Sequence, residues 1–378
     1  DRIPQMGDMR RQHSLWFKVG VVATAVLLAS CGTVPLRQPD FPALLGYEVP
    51  AIEDAEWLDM TPEMKTFVEE YSRADHARHS RAWALAYAAL DPYILDFSYD
   101  PRQTLTAAEA FQQRRGNCLT FSALFVAMAR DAGLDARFQE VIIPPKWSAV
   151  NDTLLVSKHV NAIVSDKHRD YVIDVSRRQT SGRDIIRQLS DREALAQYYN
   201  NLGADALVRE DLGLAYANFI KALEVRPGLA YVWSNAGVVL RRNGQTGDAV
   251  FAYRTALQYD PDHSVALNNL HTIYTEDGDF EAAAALAGRV ERNRRKNPYY
   301  LLHLAELATE EQRWPDAIEL LDRAIRIDDK EYRFHYALAQ ALHQAGKNEI
   351  AQVSLDRARA LARCHRKRAG RASARLRV

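Results

Sequence analysis

Three side chains that lie far apart in the chain are of the types needed for catalysis by a thiol. Cys118 comes directly after Asn117 and begins an amphipathic run, Leu119 to Arg130, that predicts a helix. The unpaired N–H groups and the positive dipole end at a helix start favour the thiolate, which is the nucleophilic form of cysteine. Thiol catalysis also needs a base and a group that orients the base, and His159 and Asp174 are the candidates.

Strand-like alternation after this helix brings His159 and Asp174 together. The predicted strands are Ala136–Ile143, Thr153–Val164 and Tyr171–Val175, with a polar turn over 165–170. If position 163 faces position 170, His159 lies opposite Asp174 at about 4.5–5.5 Å, and a shift by one pairing step leaves the two diagonal. Asp174 would accept a hydrogen bond from one imidazole nitrogen and leave the other facing Cys118, whose backbone N–H could stabilise an oxyanion.

Other interpretations of these residues stay open in the sequence. A cysteine on an apolar helix is often a core residue, and Asp174 could form an ion pair with Arg137 instead of orienting His159. The chain has no Cys-x-x-Cys or His-x-x-x-His spacing and no glycine-rich phosphate loop. We therefore predict no metal ion and no cofactor.

The motifs around these residues resemble the transglutaminase-like superfamily, a branch of the papain-like cysteine enzymes. The matching stretches, within about 61–180, are Arg115–Cys118, Ser122, Leu124, Ala129–Arg130, Gly133–Leu134, Ala136–Arg137, Lys158–Val160 and Tyr171–Asp174. The order Cys, His, Asp and the gaps of 41 and 15 residues also suit this family. The resemblance implies an α+β papain/transglutaminase-like domain in which Cys118 is the nucleophile, His159 the base and Asp174 the orienting group.

The resemblance also implies a second oxyanion donor upstream of the cysteine. In this family an aromatic or amide residue supplies it, which selects Tyr99 here, with Gln112 as the second choice. The family often has a tryptophan soon after the histidine, whereas this chain continues with Val160, Asn161, Ala162 and Ile163. That departure leaves substrate preference open. Relatives can use calcium, but no acidic loop in this chain requires it.

From Leu195 onward the chain repeats every 34 residues. Small or apolar residues recur at this interval in three series: Ala215, Ala249, Ala283, Ala317, Ala351; Ala222, Ala256, Val290, Ala324, Ala358; and Phe219, Tyr253, Ala287, Leu321, Leu355. This regular 34-residue spacing is similar to that of the tetratricopeptide repeat, which has two antiparallel helices in each unit. It predicts an all-α solenoid of five units at 196–229, 230–263, 264–297, 298–331 and 332–365.

A solenoid of this kind has a concave groove that could bind a protein partner. Six residues of units two and three are candidates to line it: Tyr231, Trp233, Asn235, Asn268, Asn269 and Tyr274. Most aromatic residues at repeat positions belong to the core, so the alternative for the aromatic candidates is burial between the helices. The chain therefore has two functional interpretations, a thiol enzyme that acts on peptide or protein amides and a scaffold without catalytic activity.

The first residues have the pattern of an export signal. Arg10, Arg11 and Lys18 precede a short apolar run, Val19–Leu28, that ends at Cys31. The run Leu28-Ala-Ser-Cys31 resembles the lipobox of bacterial lipoproteins, which implies that Cys31 is lipidated and anchors the chain in a membrane. Gly32, in place of an aspartate, implies the periplasmic face of the outer membrane. The alternatives are an uncleaved anchor or a cytosolic helix, and we expect translation to start at Met9.

Charge bears on the class of partner, and cysteine content bears on the disulfides that the chain could form. The formal net charge of the 378 residues is zero, but residues 31–362 carry a net charge of −9 and 363–378 carry seven basic residues and no acidic one. An acidic body argues against nucleic acid as the main partner. With Cys31 lipidated, Cys118 and Cys364 remain; a disulfide between them is possible but would consume the candidate nucleophile.

These observations predict the following plan for the chain. A signal segment, 1–31, precedes a proline-containing tether, 32–60, with little regular structure. A catalytic domain follows over 61–190, beginning with a helix capped by Thr61, and then the five repeats over 196–365. Residues 366–378 form a basic tail that we expect to be disordered.

Overall fold

The computed structural model describes residues 41–72, 78–150, 153–166, 169–175 and 185–374. The described residues belong to one compact unit. Among the residues described, no helix combines the length and the apolar character needed to cross a membrane. Cys31, the predicted lipidation site, lies outside the described residues.

Four helices and two short strands precede the main sheet. They are α1 Pro62–Tyr71, α2 Arg78–Leu90, β1 Ser98–Tyr99, α3 Ala107–Gln113, β2 Arg115–Gly116 and α4 Cys118–Asp131. Thr61 caps α1 by accepting a hydrogen bond from the Met64 N–H, and Thr106 and Glu109 form a capping box at α3. The Thr61 cap agrees with the sequence analysis. Helix α4 is buried from Leu119 to Ala129, so it is the central helix of this domain.

The sheet contains four antiparallel strands in the order β5-β4-β3-β6. Their bounds are β3 Asp135–Val150, β4 Thr153–Asp166, β5 Arg169–Ile173 and β6 Ile185–Leu189. The first three correspond to predicted strands, whereas β6 was not anticipated. Its sequence, Ile-Ile-Arg-Gln-Leu, does not alternate strictly, and it forms a strand by pairing with β3 at the sheet edge.

Ten helices follow as five antiparallel pairs. They are α5 Asp191–Val208, α6 Leu212–Val225, α7 Ala230–Arg242, α8 Thr246–Tyr259, α9 Ser264–Glu276, α10 Phe280–Arg294, α11 Pro298–Glu310, α12 Trp314–Ile327, α13 Tyr332–Gln344 and α14 Asn348–Ala374. Helices α7, α9, α11 and α13 begin at residues 230, 264, 298 and 332, where the 34-residue period places the unit starts. The fold is therefore an α+β domain followed by a helical repeat solenoid.

Two ends of this plan differ from the sequence analysis. Helix α5 begins at Asp191, five residues before the predicted start of the repeats, because Ser190 and Glu193 form a capping box there. The backbone of the basic tail is helical through Ala374 as a continuation of α14, so the expectation of a disordered tail was wrong for 366–374.

The part of the predicted tether that the structure describes is not a free linker. Residues 41–58, here called the strap, contain no helix or strand but pack against both domains. Leu44 and Trp57 are buried, and the ring of Trp57 stacks on Phe138 of β3 and contacts Tyr198 of α5. Proline content predicted the irregular backbone correctly, but it carries no information on tertiary packing.

Side-chain amides of the second repeat hold the strap by its backbone. Gln245 accepts a hydrogen bond from the Leu45 N–H and donates to the Ala43 carbonyl, each at 2.8 Å. Asn243 donates to the Leu45 carbonyl at 2.8 Å, and the Tyr216 hydroxyl donates to the Pro42 carbonyl at 2.6 Å. These hydrogen bonds satisfy backbone groups of the strap that, in a sheet, would pair with a neighbouring strand.

We expect Gln245→Ala to release the strap. The variant loses two hydrogen bonds to backbone groups, at a cost of about 1–3 kcal/mol in unfolding free energy. Urea unfolding measures the loss, and amide exchange at Leu45 should become faster in the variant. Gln344→Ala is the control, because Gln344 is an exposed glutamine near the end of α13 and should change neither quantity. Unchanged exchange at Leu45 in Gln245→Ala would contradict this role.

The buried apolar residues are divided unequally along the chain. One continuous cluster runs from Leu44 in the strap through α4 and the sheet to Ile273 in the third repeat. Two smaller clusters lie within 301–351, in units four and five. The α+β domain therefore shares its core with the strap and the first three units.

Candidate active site

A cap and a buried polar cradle fix the position of Cys118. Asn117 precedes α4 as its N-cap, and its side-chain oxygen accepts a hydrogen bond from the Thr120 N–H at 2.9 Å. The Asn117 amide nitrogen donates to the Thr104 hydroxyl at 2.8 Å, and the Asn117 N–H donates to the Gln103 carbonyl at 2.8 Å. Cys118 is consequently the first residue of α4, and it is partly exposed.

Thr120 closes the cradle from the other side. Its hydroxyl accepts from the Leu105 N–H at 3.0 Å and donates to the Gln103 carbonyl at 3.2 Å. A Cβ atom at Gly116 would lie 2.2 Å from the Thr120 methyl carbon, so only glycine fits here. The sequence placed Cys118 at a helix start, whereas the partners Thr104 and Thr120 carry no local signal.

Ser122 joins the helix of the cysteine to the strand of the histidine. Its hydroxyl lies 2.8 Å from the Cys118 carbonyl oxygen and 3.4 Å from the Val160 carbonyl oxygen, within donating distance of both. Val160 is adjacent to His159 in β4. Ser122 therefore fixes the distance between the two elements that carry the thiol and the imidazole.

His159 and Asp174 meet as the sequence predicted, but in a different register. The Nε2 atom of His159 lies 2.5 Å from Oδ2 of Asp174. The ladder pairs Ile163 with Val172, not with residue 170, so His159 and Asp174 are diagonal rather than directly opposite. The turn between β4 and β5 is tighter than expected, and Asp174 follows the last residue of β5.

The alternative ion pair between Asp174 and Arg137 does not form. Arg137 instead binds Asp135, at 2.8 and 3.1 Å, and also contacts Gln188 and Ser165. Asp174 is therefore available as the acceptor for the imidazole.

The electrostatic environment of His159 stabilises its charged form. Burial lowers the pKa of the imidazole, but hydrogen bonds to Asp174 and Cys118, together with the charges of both, outweigh burial and raise the pKa to about 9. Bonds from His159 to both other residues show that the three side chains converge on one site. With Nε2 at Asp174, the other ring nitrogen is the one left for the thiol.

We expect a pH dependence of stability from this histidine. Because its folded-state pKa lies above the usual value of about 6.5, its contribution is fully present below pH 6.5 and is lost as pH rises through about 9. The contribution is at most about 3 kcal/mol. Urea midpoints of the wild type and His159→Gln, measured at pH 6 and pH 9.5, should converge at the higher pH. A constant difference between the two proteins would contradict this linkage.

Of the two candidate oxyanion donors, Tyr99 lies closer to the reacting groups. Burial, followed by the charges of Cys118, Asp174 and Asp100, raises the pKa of Tyr99 to about 12, so its hydroxyl keeps its proton. Half of the side chain is still exposed, and β1 pairs with β2 immediately before Cys118. Gln112 is exposed on α3, and no described contact links it to this site.

The predicted groove residues divide into buried and accessible ones. Trp233 is 1% exposed and donates to the Pro227 carbonyl, so its assignment to a partner-binding surface was wrong. Tyr231 is largely buried as well, and burial strongly raises the pKa of its hydroxyl. The other four, Asn235, Asn268, Asn269 and Tyr274, are half-buried, and they bind Asn200, Arg294, Arg241 and Arg254 respectively.

The described residues contain no group of three or more His, Cys, Asp or Glu side chains that could hold a metal ion. The arrangement of a half-exposed thiol, a charged imidazole and an orienting carboxylate suits nucleophilic catalysis.

Comparison with known families agrees with this geometry. A model described as the transglutaminase-like superfamily matches residues 65–180, which hold all three residues of the site. A tetratricopeptide-repeat model matches residues 240–307, within units two to four.

Individual proteins resemble only parts of the chain. It is 32% identical over 137 residues to cellulose synthase 2 operon protein C of Komagataeibacter xylinus, which covers 35% of this chain and 10% of that protein. It is 32% identical over 76 residues to the tetratricopeptide repeat domain-containing protein PYG7 of Arabidopsis thaliana, which covers 20% of this chain and 25% of that one. Among solved structures, MamA of Desulfovibrio magneticus covers 46% of this chain and 97% of its own, at 16% identity and a TM-score of 0.29. The chain thus spans a quarter or less of these two sequence relatives.

Proposed function

Because this chain joins a transglutaminase-like domain to tetratricopeptide repeats, we propose that it is a cysteine-dependent enzyme that cleaves or transfers amide bonds of peptides or proteins. The observation that carries the proposal is the contact of His159 with both Asp174 and Cys118. A histidine placed only for sheet packing would not need a carboxylate on one side and a thiol on the other.

The first half of the reaction forms a thioester. The Cys118 sulfur attacks the carbonyl carbon of the amide, and the oxyanion accepts hydrogen bonds from the Cys118 N–H at the start of α4 and from the Tyr99 hydroxyl. The amide C–N bond then breaks as protonated His159 gives its proton to the departing amine. Asp174 holds the imidazole in the required orientation throughout.

The second half regenerates the thiol. Neutral His159 takes a proton from the acceptor, whose oxygen or nitrogen attacks the thioester carbonyl. The C–S bond then breaks and the Cys118 sulfur leaves as the thiolate beside protonated His159. With water as acceptor the product is a carboxylic acid, and with an amine it is a new amide. We favour water, because Cys118 is partly exposed and water is the most abundant acceptor at an open site.

The repeats supply a second role in this proposal. Tetratricopeptide repeats are in general modules for protein interaction, and four of the candidate groove residues keep exposed surface. We propose that the groove recruits a protein substrate or partner. The predicted lipid on Cys31 would place the enzyme at the periplasmic face of the outer membrane, which fractionation of cells that express the whole chain tests.

Thiol reactivity is the direct test of the catalytic site. In the wild type, iodoacetamide should alkylate Cys118 at pH 6 at least about tenfold faster than it alkylates free cysteine, which is mostly protonated there. His159→Ala should remove this advantage. Mass spectrometry of the peptide that contains Cys118 measures both rates. If the wild-type thiol reacts no faster than free cysteine, the enzyme proposal fails and the chain is better described as an interaction scaffold.

A further inference from the structure

A buried amide next to the catalytic residues has no place in the mechanism above. Asn161 is 0% exposed, and neither its side-chain oxygen nor its nitrogen has a hydrogen-bond partner among the described residues. The side-chain oxygen of Gln139, which is 6% exposed, is in the same situation. Buried polar atoms are nearly always paired, so two such residues together point to a further polar role.

The register of the sheet places both amides on the face of the catalytic pair. Asn161 lies two residues after His159 in β4, and alternate residues of a strand share a face. Gln139 is paired directly with Asn161 across β3 and β4. The ladder of β4 and β5 ends at the pair of Ala162 and Ile173, and one further step in that register places Asn161 opposite Asp174, the residue after β5. In that register Asp174 has His159 diagonally on one side and Asn161 across from it.

We propose that Asn161 is a positioning residue for Asp174. Its amide nitrogen donates to the carboxylate through one ordered water that Gln139 also contacts. This proposal rests on the proposed function, because it concerns the orientation of His159 by Asp174. A donor on the carboxylate favours the ionised form and restricts rotation of the carboxyl group.

Among the described residues, the groups near Asp174 are His159 from β4 and Tyr99 from β1, with Cys118 of α4 bound to His159 and the two uncharged amides of β3 and β4 on the same face.

Asn161→Leu tests this role, because leucine keeps the volume and removes both polar atoms. Without the donor, Asp174 holds its charge less well. The acid limb of the pH profile for alkylation of Cys118 by iodoacetamide should move up by about one pH unit, and the rate at pH 6 should fall about tenfold.

Asn218→Leu is the matched control. Asn218 is a buried asparagine in α6 with an unpaired side-chain oxygen, and it lies in the repeats. The control should leave the pH profile of Cys118 unchanged. If Asn161→Leu does not fold, Asn161→Ala takes its place, because alanine is smaller than the native residue and should show the same displaced limb.

The outcomes separate this inference from the proposed function. A reactive wild type with a displaced limb in a folded Asn161 variant supports the positioning role. A reactive wild type with an identical limb in that variant overturns the role and leaves the enzyme proposal intact. An unreactive wild type overturns both.

Discussion

Cys118→Ala should abolish acyl-enzyme formation, by at least about 10³-fold, while the protein stays folded. The thiol is the only proposed atom that forms a bond with the substrate, so no other group of the site can replace it. The side chain is partly exposed at the first position of α4, where alanine is a good helix former. Stability should therefore change little.

The measurement uses p-nitrophenyl acetate as a generic acyl donor. The wild type should release a burst of nitrophenol equal to the enzyme concentration and gain one acetyl group on Cys118, detected by mass spectrometry. Cys118→Ala should show neither, and Cys118→Ser should show at most a trace, because a serine hydroxyl is far less ionised than a thiol. Acetylation that persists at the same rate in Cys118→Ala would place the nucleophile elsewhere.

Gly237→Ala should strongly destabilise the repeats, by about 1–3 kcal/mol. Gly237 in α7 faces Tyr253 in α8, and an added Cβ would lie 2.7, 2.9 and 3.0 Å from three ring carbons. The ring is completely buried and has no room to retreat. Gly203→Ala should behave alike, because its Cβ would lie 2.6 Å from the ring of Phe219 and 3.0 Å from the Ala215 carbonyl.

Gly288→Ala provides a control with the opposite sign. It is a glycine inside α10, and the nearest atom to its added Cβ is the flexible end of Arg292 at 3.7 Å. This variant should be more stable by about 0.5–1 kcal/mol, because alanine loses less backbone entropy in a helix. Chemical denaturation measures all three variants. A Gly237→Ala protein as stable as the wild type would show that helices α7 and α8 can separate without cost.

The sequence was sufficient for those parts of the structure that depend on local pattern. The 34-residue period located the helix pairs, since each unit reuses the same small residues at the same contacts. Residues 117–131 showed a helix start and an amphipathic run within one segment. The order of cysteine, histidine and aspartate then made the resemblance to the transglutaminase-like superfamily visible, and the matching model confirms it over 65–180.

Tertiary details were beyond local pattern. The register of β4 and β5 was wrong by two residues, because turn length sets it and the polar turn did not show where pairing begins. Strand β6 and the packing of the strap depend on partners more than 30 residues away in the chain. The burial of Trp233 likewise depends on tertiary packing. Thr104 escaped notice for the same reason, since its partner Asn117 lies on the far side of α3.

The uneven division of the core gives the chain a stiff part and a pliable part. The strap, the sheet and the first three units share one apolar cluster, whereas units four and five depend on small clusters of their own. In a linear array each unit is stabilised mainly by its neighbours, so the distal helices can bend, splay or melt at low energy. A bound partner that pulls on those helices would deform them well before it disturbed the geometry around Cys118.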